Sequence, residues 1–236
     1  MDFLGDKKIT VAIRDCGPLS RILHEYADER IHMLPKGLHD RALTTEPLAR
    51  PVVNLLGFDA VDSYDPAVFA RGKKNIDGRL PSMTPFFSYK YDQQNLENGY
   101  CLIIDRAKPL PYYRAEPSAE KQGGANRRSV TNLFSIYQQI RKSRPAVYAL
   151  LELLPFWEQV LLFIHARTII GQHGAGLANM IWAETPASVI EIGTRKDPPY
   201  FETLASAVNL QFAKFVVDGD HVTLPAAGFL SFLSKR

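Results

Sequence analysis

From Gly99 to its end the chain alternates between two hydrophobic periods, and that alternation limits the fold more than any other feature. "GYCLIIDR" is an apolar run that ends in charge, as a buried strand does. "VTNLFSIYQQIRKS" places Leu133, Ile136, Tyr137 and Ile140 on one helical face. "AVYALLEL" fits strand or helix by periodicity, and the Pro145 break before it favours a strand. "PFWEQVLLFIHA" reads as a helix opened by Pro155, since proline suits a first helical turn. The remainder reads "RTIIG" strand, "GLANMIWAE" helix, "ASVIEIG" strand, "PPYFETLASAVN" helix, "LQFAKFVVD" strand and "AAGFLSFLSKR" helix. Strands that alternate with helices predict a parallel sheet covered on both faces, an α/β fold.

The first part of the chain is less regular. "KITVAIRD" predicts a strand, and "PLSRILHEYADERIHML" predicts a helix through Leu19, Ile22, Leu23 and Tyr26. From Pro35 to about Tyr91 prolines, glycines and aspartates recur, which predicts loops and short elements.

Composition removes several functional classes. The formal charge of +3 is small and scattered, so nucleic acid is not an expected partner. Cys16 and Cys101 are too few for a disulfide framework or a zinc site, and two free thiols are expected. "MDFLGDKKITVAIRD" has no apolar core of the signal-peptide kind. "AVYALLELLPFWEQVLLFIHA" is interrupted by Glu152, Pro155, Glu158 and Gln159, so no integral membrane segment is expected. These readings predict a cytoplasmic protein, with association at a membrane surface through a partner or an acceptor lipid left open.

"IIGQHGAGLANM" sets Gly171, Gly174 and Gly176 where a strand hands over to a helix. Glycines there allow a tight turn and close approach of a ligand, and the helix N-terminus offers free N–H groups to phosphate. The spacing is GxxGxG rather than the dinucleotide pattern GxGxxG, so a structural turn and a ligand site are equal readings of the glycines alone. Glu191 lies 20 residues after Gly171 and closes the next strand, where a carboxylate can accept from ribose hydroxyls. Loop and glutamate together suggest a nucleotide with a phosphate chain. His173 can donate a ring N–H to phosphate, or can bond a backbone carbonyl and pin the loop.

"ARTIIGQHGAGLANMIWAETPASVIEIG" resembles the signature segment of the family 61 glycosyltransferases. That family includes bacterial capsular-polysaccharide enzymes, plant xylosyl- and arabinosyltransferases, and animal protein O-linked N-acetylglucosaminyltransferases. Its pattern has a strand ending in arginine, then R-R-x-x-x-N, then a helix with Phe-x-x-Gln, then the His-Gly-Ala-Gly-Leu-x-Asn core. This chain supplies "LIIDR" ending in Arg106, then "NRRSVTN" with Arg127, Arg128 and Asn132. "PFWEQVLLFIHAR" with Glu158 and Gln159 comes next, and His173 to Asn179 forms the core. The resemblance runs from about Tyr100 to Asn209, just under half the chain.

The resemblance implies a GT-B-like architecture. A carboxyl-terminal Rossmann-like domain, residues 96–236, would hold a nucleotide-sugar donor, with UDP the commonest nucleotide. A reduced amino-terminal α/β lobe, residues 1–95, would present a glycan or glycoconjugate acceptor. It implies inverting transfer of a hexose or pentose with no cofactor and no essential metal. Donor-binding candidates are Gly171, His173, Gly174, Ala175, Gly176, Leu177, Asn179, Glu191, Arg106, Arg127 and Arg128. Arginine forks suit phosphate oxygens, but Arg127 and Arg128 are adjacent and should point apart, so one of them is expected to face the phosphates. Asn179 either braces the loop or touches the ligand.

Direct displacement also needs a base for the acceptor hydroxyl. Asp15, at a strand end, is the first candidate beside His173 and Arg106 as catalytic residues; His24, His32 and His39 are alternatives. "DGD" at Asp218 to Asp220 matches an Asp-x-Asp metal pattern, yet it sits between apolar runs and reads as a turn. A nicotinamide-dependent oxidoreductase would share the strand, loop and Glu191, but it fits neither the glycine spacing nor the loop histidine. A non-catalytic relative that binds the donor is the third reading.

Overall fold

Five apolar stretches pair side by side in one all-parallel sheet. The structure is a computed structural model that describes residues 11–14, 31–34, 64, 66–77, 98–108 and 124–235. By its backbone contacts the chain divides into Met1–Ala60 and Val61–Arg236. In the first unit, strands β1 (Val11–Arg14) and β2 (Ile31–Leu34) pair in parallel, with Val11 opposite Ile31 and Arg14 opposite Leu34. The helix predicted from Pro18 to Leu34 is therefore corrected at its end, where "IHML" is a strand. Leu19, Ile22, Leu23 and Tyr26 lie outside the described residues.

The second unit begins with helix α1 (Pro66–Asp77). This corrects the expectation of loops and short elements between Pro35 and Tyr91. The helix was hidden because "PAVFARGKKNID" carries few apolar residues and a mid-helix glycine. Lys73 Nζ donates to the Ala183 carbonyl at 2.8 Å, which ties α1 to the rest of this unit.

The main sheet is built from β3 (Tyr100–Asp105), β5 (Ala146–Leu150), β6 (Ala166–Gln172), β7 (Ser188–Gly193) and β8 (Gln211–Val216). Between β3 and β5 come a short helix α2 (Gly124–Arg127), strand β4 (Ser129–Val130) and helix α3 (Leu133–Ile140). Helix α4 (Phe156–Ile164) joins β5 to β6, and α5 (Tyr200–Ala207) joins β7 to β8. Strand β9 (His221–Val222) and helix α6 (Ala226–Ser234) close the described chain.

The strand order is β5-β3-β6-β7-β8, and every pairing is parallel. The chain moves outward from β3 to β5, then crosses back and continues on the other side from β6 to β8. Its direction reverses between β3 and β6, which makes the carboxyl ends of those two strands a topological switch point. In open α/β sheets ligands bind at such a switch point.

Helices cover both faces. Leu133, Ile136 and Ile140 of α3 and Phe229 and Leu233 of α6 pack on Cys101, Ile103, Ile170, Ile190 and Ile192. On the opposite face α4, α5 and the segment after β6 pack on Leu102, Ile104, Ile169 and Val189. Central strands buried on both faces need continuous apolar runs, which is why "CLII" and "SVIEI" do not alternate.

One further expectation is corrected, and the turn read at "DGD" is present. The segment Ala175–Trp182 is a 3-10 helix of eight residues rather than an α-helix. Its buried residues explain this. Leu177, Met180 and Ala183 recur every three positions, which matches three residues per turn. The apolar runs around "DGD" turn at Gly219, whose φ is +91°, but they do not pair with each other. Strand β8 stays in the main sheet, whereas β9 pairs in parallel with β4. Asn132 continues that second pairing, donating to the Leu224 carbonyl and accepting from the Leu224 N–H, both at 2.9 Å.

Among the described residues no helix is long and apolar enough to cross a membrane. Cys101 is a free thiol in the core, and burial pushes its pKa up to about 12. Phe229→Ala should empty a fully buried site between α6 and the sheet. A loss of about 3–5 kcal/mol is expected in chemical denaturation.

Candidate functional site

The segments that leave β3 and β6 meet at the switch point. Residue 106 comes directly after β3, and residues 173–176 come directly after β6. The His173 N–H donates to the Ile192 carbonyl at 2.8 Å, so the loop leaves the sheet in register with β7. Its own carbonyl accepts from Arg106 Nη2 at 2.6 Å and from Arg128 Nη1 at 3.5 Å. Gly174 is required by this arrangement. A Cβ there would lie 1.9 Å from Arg106 Nη2. The glycine has extended backbone, so its role is to admit the guanidinium and not to relieve strain. Gly171 and Gly176 likewise face close protein neighbours, Leu177 and Ile104 in the first case and Leu151 and Ile104 in the second.

Arg106 is held in place from several sides. Its Nη1 reaches the Gly124 carbonyl at 3.4 Å. Burial lowers its pKa, Glu152 opposes that, and the nearby Arg128 and Arg127 add to it. Asp105 just before it accepts from the Arg106 N–H and from the Tyr148 hydroxyl. Burial first, and then the bond and charge of Asp105, raise the Tyr148 pKa above its ordinary range. The adjacent arginines part as their spacing predicts: Arg127 is exposed, whereas Arg128 turns to the loop. Arg128 pairs with Asp197 at 2.9 Å through Nη1. Its Nε lies 2.8 Å from Asp220 Oδ1, off the direction of a hydrogen bond. Asp220 belongs to the "DGD" turn and serves there as a partner to arginine.

Leu177 is buried under the loop, and Ala175 opens the 3-10 helix. Asn179 Nδ2 donates to Gln159 Oε1 at 3.1 Å. Gln159 in turn donates to the Leu151 and Leu154 carbonyls at 2.9 and 3.0 Å. Asn179 thus makes the bracing contact of its two sequence readings, and the Phe-x-x-Gln stretch supplies the other end of the brace.

Glu191 does not stand at an open strand end. It is 0% exposed, on the face of β7 that carries Val189. Its Oε1 lies 2.6 Å from His173 Nδ1 and 3.5 Å from Lys214 Nζ, and its Oε2 is buried with no hydrogen-bond partner among the described residues. With no exposed oxygen it has no surface to offer a ribose in this conformation. Lys214 faces it directly across the β7–β8 pairing. The His173 ring stands edge to face with Phe201, centroids 5.0 Å apart, and its side chain is 12% exposed. Its Nε2 makes no hydrogen bond to the described residues.

Asp197 completes the cluster. It accepts from the Thr194 N–H at 2.6 Å, and its side chain is 4% exposed. Glycine at 193 makes room for both carboxylates, since a Cβ would lie 2.8 Å from Glu191 Oε1 and 3.0 Å from Asp197 Oδ2. His173, Glu191 and Asp197 each bring a ligand-type atom to within 4.8 Å of one another, a spacing that could hold a metal ion. Lys214 and Arg128 already stand against the two carboxylates, so a divalent ion would meet cationic repulsion there.

The chain matches the family model described as Glycosyltransferase 61 over residues 32–190, about two thirds of its length. It belongs to the Glycosyltransferase 61 family. Glycosyltransferase activity, with a donor and an acceptor as substrates, is the general consequence of that membership. The matched span holds Arg106, Arg127, Arg128 and the whole loop from Gly171 to Asn179. A search of curated proteins found no match to the chain. Asp15, His24 and His39 lie outside the described residues, and of His32 only its place in β2 is described. Sequence reasoning missed Asp197 and Lys214. A lysine inside the apolar run "QFAKFV" was the available signal, because a cation in such a strand needs a buried partner.

The loop of this family member can be probed at two points. Gly174→Ala should displace Arg106 from the His173 carbonyl and destabilise the protein by roughly 1.5–3 kcal/mol, read in urea denaturation. For Asp197, burial by itself raises the pKa, but the Thr194 N–H, His173 and Arg128 outweigh it and the net shift is downward. Its stabilising contribution is complete above the unfolded-chain value of about 4 and is lost as pH falls through the lower folded value. The stability gap between wild type and Asp197→Asn should therefore close on acidification below about pH 4, in parallel denaturation series.

Proposed function

We propose that this glycosyltransferase moves a sugar from a nucleotide-linked donor, UDP in the first instance, to a hydroxyl of a glycan or glycoconjugate. Inversion and independence from metal are part of the proposal. So is a GT-B-like division of labour, with residues 96–236 on the donor and 1–95 on the acceptor. The observation that carries it is His173 at the switch point of a family 61 chain, with an Nε2 that makes no hydrogen bond to the described residues.

In the proposed reaction the acceptor oxygen attacks the anomeric carbon, and the bond from that carbon to the diphosphate oxygen breaks. The acceptor proton passes to a base on the acceptor side, for which Asp15 remains the first candidate. Negative charge develops on the leaving diphosphate and must be met by preorganised donors. His173 Nε2 and the N–H groups that open the 3-10 helix at Ala175 and Gly176 would face it. Arg106 and Arg128 contribute by fixing the loop and by keeping cationic charge beside it. Acting in the cytoplasm on polysaccharide precursors is the setting that fits this reading.

Thermal unfolding with UDP, GDP, CMP, UDP-sugars and NADH, each with EDTA, tests the reading. UDP at about 100 times its Kd should stabilise the wild type by about 2.7 kcal/mol in EDTA. His173→Ala should weaken UDP at least about tenfold. Stabilisation by NADH alone, or a UDP effect abolished by EDTA, would overturn the proposal. Transfer assays with any stabilising UDP-sugar then give the anomeric configuration of the product by NMR.

A further inference from the structure

We propose that Glu191 is a positioning residue: it holds the His173 ring with a proton on Nδ1 and Nε2 turned to the ligand, and it reaches the donor only through that ring. The second half rests on the donor reading above. The first half stands on the geometry alone.

An ionised carboxylate only accepts hydrogen bonds, so at 2.6 Å the proton between the two groups belongs to His173 Nδ1. Lys214 stands opposite Glu191 in the β7–β8 register and pairs with it. Its ammonium is 3.5 Å from Oε1 and is anchored by the Thr194 and Asp197 carbonyls, each at 3.4 Å. The other charged groups around the ring are Asp197 on the loop after β7, and Arg106 and Arg128 at the His173 carbonyl. The His173 main chain is fixed by Ile192 and Arg106, so the ring keeps only its side-chain torsions. Glu191 and the edge of Phe201 settle those.

Two observations separate this role from that of a ribose ligand or an ordinary structural pair. Glu191 is fully buried, so no ligand reaches it while the loop is in place. Its Oε2 has no hydrogen-bond partner among the described residues, although buried carboxylate oxygens in native proteins are nearly always bonded. A carboxylate placed there for packing alone would be better replaced by an apolar side chain. What Glu191 supplies that an apolar residue cannot is a fixed acceptor behind Nδ1.

The test is nitrogen NMR of the imidazole in histidine-labelled protein, with His173→Ala to assign the signal, beside UDP titrations. In wild type at neutral pH, Nδ1 of His173 should carry a proton. In Glu191→Gln, whose amide can donate as well as accept, the Nε2–H form with bare Nδ1 should appear. UDP should bind that variant roughly ten- to a hundredfold more weakly, the loss of one charge-assisted hydrogen bond. Bare Nδ1 in the wild type would overturn the proposal, and this readout holds even if Glu191→Gln does not fold. A folded Glu191→Gln with unchanged UDP affinity would overturn it too, leaving a structural pair. If the wild type binds no nucleotide, the donor reading fails, and the wild-type imidazole spectrum still decides whether Glu191 sets the ring.

Discussion

The contact on which this site depends is the 2.6 Å hydrogen bond from Arg106 Nη2 to the His173 carbonyl. It joins the carboxyl ends of β3 and β6, the two neighbouring strands at which the chain reverses its direction across the sheet. Hydrogen bonds between the strands fix their bodies but not the loops beyond them. A charged fork from one loop onto the carbonyl of the other does fix them, and burial makes such a bond stronger than it would be in water. Everything nearby is consistent with protecting it. Gly174 leaves space for the guanidinium, and Arg128 reaches the same carbonyl from the segment paired with β9. Asn132 clamps that segment at its far end.

Much of the sheet was legible because parallel strands buried on both faces must be apolar throughout, and "CLII", "TIIG" and "SVIEI" leave little choice. The 3-10 helix was not, because glycines and small residues mask a period of three. Only the burial of Leu177, Met180 and Ala183 exposes it. Helix α1 was lost for the opposite reason: its sequence shows too few apolar residues to make a face. At the site, the loop and its histidine could be picked out from residue types and spacing. The charges around them could not. Asp197, Lys214 and Glu191 come from three different segments, and only the β7–β8 register and the turn after β7 bring them together.

The charge arrangement bears on the proposed independence from a metal ion. Three ligand-type side chains lie close enough to bind one. Yet a lysine and an arginine occupy the electrostatic position of the ion, 3.5 Å from Glu191 and 2.9 Å from Asp197. Removing either cation would leave a buried carboxylate uncompensated, which is costly. The carboxylates and cations are thus mutually required. The group they surround is the His173 imidazole, whose side chain is 12% exposed.

That geometry answers why a histidine should stand among glycines in this loop. Lysine would present a single charged end, and with that end on Glu191 nothing would be left for a ligand. An asparagine amide could face both ways but could not gain a charge as phosphate approaches. Imidazole alone has two nitrogens on opposite sides of a rigid ring, so a carboxylate behind one sets what the other offers. In the proposed reaction the buried half of His173 is therefore as much a part of the chemistry as the half that meets the diphosphate. The ring is held from both its backbone and its edge, by Ile192 and Arg106 on one side and by Glu191 and Phe201 on the other.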